Sequence, residues 1–185
     1  MINEALEFIR REVRDHLNVS DAEAQLESAR VLAQEGTAEG LAITLINVEE
    51  EPALRNTPNT IIADGQPVTR KPSAFMNLYL LFAFDFPNYG MSLLNLSETI
   101  ALFQDRRIFT AADGSVDNPF PERAAQLAFD HHNMSFEALN NLWSIMGGTL
   151  FPCVIYKVRL LEIRHEAEEL PGPPIRTIAM DTSGT

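Results

Sequence analysis

Ile2, Leu6, Ile9, Val13 and Leu17 recur at helical spacing, with Glu4, Arg10, Arg11, Arg14 and Asp15 between them. That pattern gathers the apolar residues on one stripe and predicts an amphipathic N-terminal helix whose stripe faces a core or a partner. Residues 20 to 35 stay open: Ala, Glu, Gln and Leu favour helix, while Ala29-Arg30-Val31-Leu32 also suits a short extended segment. Leu41 to Val48 follows Gly40, precedes an acidic turn ending in Pro52, and has the β-branched content of a strand. The stretch from Glu49 to Pro72 reads as a long excursion, since its prolines, Gly65 and many Asn, Thr and Asp residues suit neither a helix nor a central strand.

Ala74 to Phe86 is the most apolar run. Ala74, Met76, Leu78, Leu80, Phe82, Phe84 and Phe86 share one face, and Asn77, Tyr79, Leu81, Ala83 and Asp85 the other, which predicts a central strand with one fully buried side. Met91, Leu94, Leu96, Ile100, Leu102 and Phe103 then predict a second helix, packed on the same sheet. Asp113-Gly114-Ser115 and Asn118-Pro119 punctuate a loop, Gln126 to His132 suits a strand, and Ser135 is the N-cap of a third helix with Leu139, Leu142, Trp143 and Met146 on its apolar face. Gly147-Gly148 stops that helix, and Cys153 to Ile163 is a last strand turning Val154, Tyr156, Val158 and Leu160 inward. The expected fold is α/β of the α+β kind: one domain, with a central mixed or antiparallel sheet packed by about three helices. We place it over residues 1–165, followed by an extended or disordered arm over 166–185 behind the Pro171-Gly172-Pro173-Pro174 run.

Composition narrows what such a domain does. A chain of 185 residues with 45% hydrophobic content can bury one sizeable core. The net charge of −12, with its basic residues scattered, argues against nucleic acid and anionic membranes as partners. Cys153 is the sole cysteine, so no disulfide closes within the chain, which suits a reducing cytoplasm. The first residues lack a signal-peptide pattern, and no run approaches the roughly 20 apolar residues that span a bilayer.

The candidate chemistry is thin. Neither a phosphate-binding glycine loop nor a nucleophile elbow nor a paired-histidine zinc helix occurs. Asp130, His131 and His132 are possible metal ligands, but neighbours on a strand point to opposite faces. Cys153 and His165 would stand roughly 40 Å apart on one strand, at about 3.3 Å per residue, too far for a thiol nucleophile and its base. Glu49-Glu50-Glu51 offers carboxylates for acid–base work, though three in sequence at a strand end make a solvated cap. Trp143 is read as core rather than as an interface anchor, and Ile175, Ile178 and Met180 form an apolar island able to add a strand to a neighbour's sheet.

The opening Met1-Ile2 with Ala5-Leu6, the segment Glu50-Glu51-Pro52-Ala53-Leu54-Arg55-Asn56, the strand Leu78 to Phe84, and later Leu139 to Trp143 and Tyr156-Lys157-Val158 occur in an order that resembles the tail-terminator or cap proteins of phage-tail-like contractile injection systems, the family of Pvc16-like N-terminal domains. The resemblance covers residues 1–165. It implies a structural subunit, not an enzyme, with no cofactor and no metal, that forms a homo-oligomeric ring, a hexamer on a sixfold tail. Such a ring closes the inner tube and sheath and anchors the one to the other. The implied partners are further copies of itself and the tube and sheath proteins, first in the cytoplasm and then within the mature particle. Leu54, Arg55, Asn56, Ile175, Arg176 and Ile178 are the expected contacts to sheath or neighbour. Two other readings stay open: an acidic adaptor or chaperone for a basic protein, and a small hydrolase using Glu49 to Glu51 with His131 or His132.

Overall fold

The computed structural model describes residues 2–34, 39–51, 60–63, 66–69, 74–122, 124–163 and 170–171. Helix α1, Ile2–Leu17, forms on the expected stripe and buries Ala5, Phe8, Ile9 and Val13. Its polar side is tied down by arginines: Arg10 donates to both Glu7 oxygens (2.6 and 2.9 Å) and to Asp21 (2.8 Å), and Arg14 reaches the same Asp21 at 2.6 Å. The open stretch that follows resolves into β1, Ala24–Leu26, and a 3-10 helix, Ala29–Ala33, whose N-cap Ser28 accepts from the Arg30 N–H.

Next come β2, Gly40–Glu50, then β3, Thr60–Ala63, and β4, Gln66–Thr69. The 49–72 excursion is therefore not wholly irregular. Thr60, Ile61 and Ile62 pair antiparallel with Thr69, Val68 and Pro67, and β4 also pairs with β9, Leu170–Pro171, inside the expected arm. Thr, Ile and Val give this short antiparallel pair its β-branched content, Pro67 lies within it opposite Ile62, and the pair is set in a sheet of its own.

The main sheet is completed by β5, Ala74–Asp85, β6, Ile108–Phe109, β7, Ala124–His131, and β8, Cys153–Ile163, in the order β1-β2-β5-β8-β7-β6. Strand β1 runs parallel to β2 and the other neighbours pair antiparallel, so the sheet is mixed. Helices α2, Tyr89–Asp105, and α3, Phe136–Ile145, follow β5 and β7. The caps fall where the side chains demand them: Asn88 accepts from Gly90 N–H, Ser135 accepts from Ala138 N–H, and Gly147 and Gly148 leave α3 at φ of 117° and 84°.

One face of the sheet carries Leu41, Ile43, Leu78, Leu80, Phe82, Phe84, Val154, Tyr156 and Val158, packed against α1 and the second half of α2. Phe103 of α2 stacks on Phe129 of β7 at 4.1 Å between centroids, with Phe82 and Phe109 edge-on around it. The opposite face carries Ala42, Leu81, Ala83 and Ile155, covered by Ala29 of the 3-10 helix, by Trp143, Leu139 and Leu142 of α3, and by its C-cap Met146. Strand β5 is thus buried on both sides where it lies between helices, and its unbroken apolar run from Leu80 to Phe84 reflects that central place.

Helix α2 departs from expectation. Leu102 and Phe103 pack inward, but Met91 and Leu94 point to solvent, and Ser92, Asn95 and Thr99 are the buried residues of its first turns. The Ser92 hydroxyl accepts from Phe86 N–H at 2.9 Å, and Thr99 Oγ1 donates to the Asn95 carbonyl at 2.8 Å. Small polar residues that satisfy themselves on the local backbone cost little to bury, which frees the larger apolar residues to face outward.

Candidate functional site

The second sheet face is covered by α3 and the 3-10 helix at the C-terminal end of β5 and carries polar side chains, with Asn77 buried among them, at its N-terminal end. There the register sets Asn47, Tyr79, Lys157 and Asp130 in one row across β2, β5, β8 and β7. Tyr79 donates its hydroxyl to Glu49 at 2.8 Å, lies 5.7 Å beneath the Lys157 ammonium, and meets the His132 ring edge-on at 5.0 Å. Burial, then the Glu49 carboxylate, push the Tyr79 hydroxyl up to about 12, so it stays a donor. Asn77 donates to Glu51 at 2.9 Å, and Asp130 accepts from Arg159, with Arg107 at 3.9 Å. This is a cross-strand ladder of opposite charges and an aromatic, an arrangement that stabilises a polar sheet face.

Of the residues proposed for catalysis, Glu49 and His132 come together through Tyr79. Tyr79 touches both Glu49 and His132, while His131 packs on Tyr156 of the other face at 5.7 Å, so the two histidines address opposite sides of the sheet and cannot share an ion. Among the described residues no three His, Cys, Asp or Glu side chains cluster for a metal. A hollow beside the 3-10 helix, lined by Glu23, Gln25, Val31, Leu32 and Gly40, offers about 10 Å³, room for a single water, and neither Glu49 to Glu51 nor the two histidines line it. Cys153 packs against the Trp143 cluster. Burial raises its thiol, and the Trp143 indole opposes part of that rise, the mark of a packing cysteine rather than a nucleophile. Trp143 itself is 4% exposed, a core residue as read from the helical stripe.

Two apolar surfaces stand out instead. Tyr89, Met91, Leu93 and Leu94 are 68, 48, 42 and 58% exposed on the outward side of α2, and no residue from Phe86 to Ser97 is charged. Beyond the opposite face, Ile145 and Leu150 are 79 and 63% exposed at the C-terminal end of α3, inside a stretch from Ala138 to Tyr156 that is also free of charge. Exposed apolar residues within charge-free runs are the candidates for contact surfaces. The apolar periodicity of α2 points these residues inward; the charge-free runs are the signal that would have found them. The contacts expected from the sequence, Leu54, Arg55, Asn56, Ile175, Arg176 and Ile178, lie outside the described residues.

A mixed six-stranded sheet with helices on both faces defines an α+β domain. The chain matches the Pvc16 N-terminal domain model over residues 4–177 and belongs to that family. Its fold is that of the PVC sheath/tube terminator of an extracellular contractile injection system, in the extended state, with a TM-score of 0.70 at 14% identity. The anti-feeding prophage tube-terminating cap has the same fold, with a TM-score of 0.66 at 14% identity. The alignments cover 100% and 97% of this chain but 64% and 59% of those proteins, so it spans about three-fifths of their length. Among curated proteins none matches it. The family and the fold class read in the sequence are both borne out.

Proposed function

We propose that this chain is the terminator domain of a contractile injection system, a structural cap that ends the inner tube and sheath. The observation that carries the reading is the Pvc16 N-terminal domain match across nearly the whole chain, joined to a fold shared with a sheath/tube terminator and a tube-terminating cap. The physical character agrees. A cap has to present rigid surfaces to repeating subunits, and a six-stranded sheet clad by helices on both faces supplies that rigidity. Its partners on this reading are copies of itself in a ring, sixfold where the tail is sixfold, and the tube and sheath subunits beneath. The segment from Glu166 onward acts as an arm toward the sheath. The subunit is made in the cytoplasm and ends in the mature particle.

The test is negative-stain imaging of the purified chain mixed with tail tubes assembled from the same system. Density confined to one tube end, with tubes no longer lengthening when more tube subunit is added, is the expected outcome. Tubes that keep growing with bare ends would reject the cap reading.

A further inference from the structure

The charge ladder on the second sheet face is not balanced at its β6–β8 end. Asp130 of β7 stands opposite Lys157 of β8, and Arg159, two residues further along the strand, shares that face. The Asp130 carboxylate pairs with Arg159 through its Nε and has the Arg107 guanidinium, just before β6, at 3.9 Å. Lys157 is held over the Tyr79 ring rather than by a carboxylate. Among the described residues, three cations thus share one carboxylate here, while Glu49 lies two strands from Lys157 and is bound to the Tyr79 hydroxyl. The other arginine clusters are matched: Arg10 and Arg14 meet Glu7, Asp15 and Asp21, and Arg106 meets Glu12 and Asp113. In a chain of net −12 the β6–β8 end is a local excess of positive charge.

These cations are positioned without being used up. Arg159 spends its Nε on Asp130, Arg107 reaches the same carboxylate with a single nitrogen, and a ring contact consumes none of the three ammonium donors of Lys157. Arg107 and Arg159 are 65 and 44% exposed, so their remaining donors are within reach of a second acceptor. Ile108, 51% exposed, is in register with Ala128, which is itself opposite Arg159, and this sets an accessible aliphatic side chain among the charges.

We propose that this surface, built from Arg107, Ile108, Lys157 and Arg159, binds an acidic segment of a partner protein. Carboxylates of the segment take the unspent guanidinium and ammonium donors, and an apolar side chain between them covers Ile108. The chain's own charge decides the class of partner. A nucleic acid backbone crossing the molecule is repelled by the net −12, and three cations are few to offset it. A short acidic segment responds mainly to charges within a Debye length, about 8 Å at physiological salt, and on this surface those are mostly positive. The inference goes beyond the cap reading and does not depend on it.

The experiment measures fluorescence anisotropy of a short labelled peptide, glutamates around one leucine, titrated with the full chain at low and at physiological salt. The same peptide with glutamine for glutamate and a thymidine oligonucleotide of equal charge are run beside it. The glutamate peptide should bind at low salt, weaken as salt rises, and lose binding when its charges are removed. Arg107→Gln and Arg159→Gln should each weaken it about fivefold, while Arg30→Gln, which removes the same charge from an exposed position outside the surface, should leave it unchanged. Circular dichroism and melting curves show that each variant is folded. No binding at low salt, or equal losses from Arg30→Gln, would overturn the proposal. An oligonucleotide bound as tightly as the peptide through the same two arginines would overturn the choice of a protein segment. Peptide binding by a chain that leaves tube ends growing would keep this proposal and reject the cap reading.

Discussion

Gly40 opens β2 at φ 145°, and a Cβ built there would lie 2.2 Å from the Glu23 carbonyl oxygen and under 3 Å from the Glu23 carbonyl carbon and Cα. The same carbonyl accepts the Leu41 N–H at 2.6 Å, and this bond begins the parallel pairing of β1 with β2. Gly40→Ala therefore combines two costs. A side chain at that φ strains the backbone by about 1–3 kcal/mol. The overlap is with main chain, so β1 must shift away from β2, with loss of a hydrogen bond of about 1 kcal/mol. Together these make about 2–4 kcal/mol, which lowers the melting temperature of a chain this size by on the order of 10 °C. Gly148→Ala is the control: its φ is 84° but nothing lies within 4 Å of the new Cβ, so only the strain remains. Urea and thermal melts of both variants measure the difference, and amide exchange at Leu41 reports whether β1 has loosened. If Gly40→Ala melts with the wild type or with Gly148→Ala, the close approach of Glu23 does not govern this corner.

Three further outcomes are expected. Asn118 is buried and donates to the Phe8 carbonyl at 3.2 Å and to Glu12 at 2.8 Å, so Asn118→Ala should lower stability by about 1–3 kcal/mol in urea melts, and Asn118→Asp by more, since it sets a carboxylate beside Glu12. Arg10 and Arg14 hold the Asp21 carboxyl down at about 2 against its ordinary 3.8; the stabilisation is thus present above the ordinary value and lost as pH falls toward 2, and Asp21→Asn should flatten the fall in melting temperature across that window. Phe103→Ala removes the ring stacked on Phe129 and should cost about 3–5 kcal/mol by chemical denaturation, with Phe103→Leu costing clearly less.

The elements with a strong period are legible in the residues alone. The stripe from Ile2 to Leu17, the alternation of β5 and β8, and the Ser135 cap with its Trp143 stripe each state one structure, because a buried face leaves its period in the sequence. Strand β1 is not legible: three residues are too short for any period, and their pairing with β2 depends on Gly40, well beyond them in the chain. The orientation of α2 is hidden for another reason. Its apolar residues serve two destinations, Leu102 and Phe103 the core and Met91 and Leu94 the outside, so the period is smeared. Alternation at the end of β7 does separate His131 from His132 correctly, and the helical stripe does place Trp143 in the core.

The strand order also sets a timetable for folding. Strand β5 sits between β2 and β8, and its register with β8 joins Phe82 to Val154 and Leu80 to Tyr156. That partner is encoded about seventy residues downstream, so during synthesis β5 waits as an open hydrophobic edge while α2, β6, β7 and α3 are made. Pairings that distant close slowly, since the loop entropy is lost before the contacts form. A nascent chain in this state is prone to stick to its neighbours, and the excess of acidic residues, which repels other copies, then protects the unfinished sheet until β8 arrives.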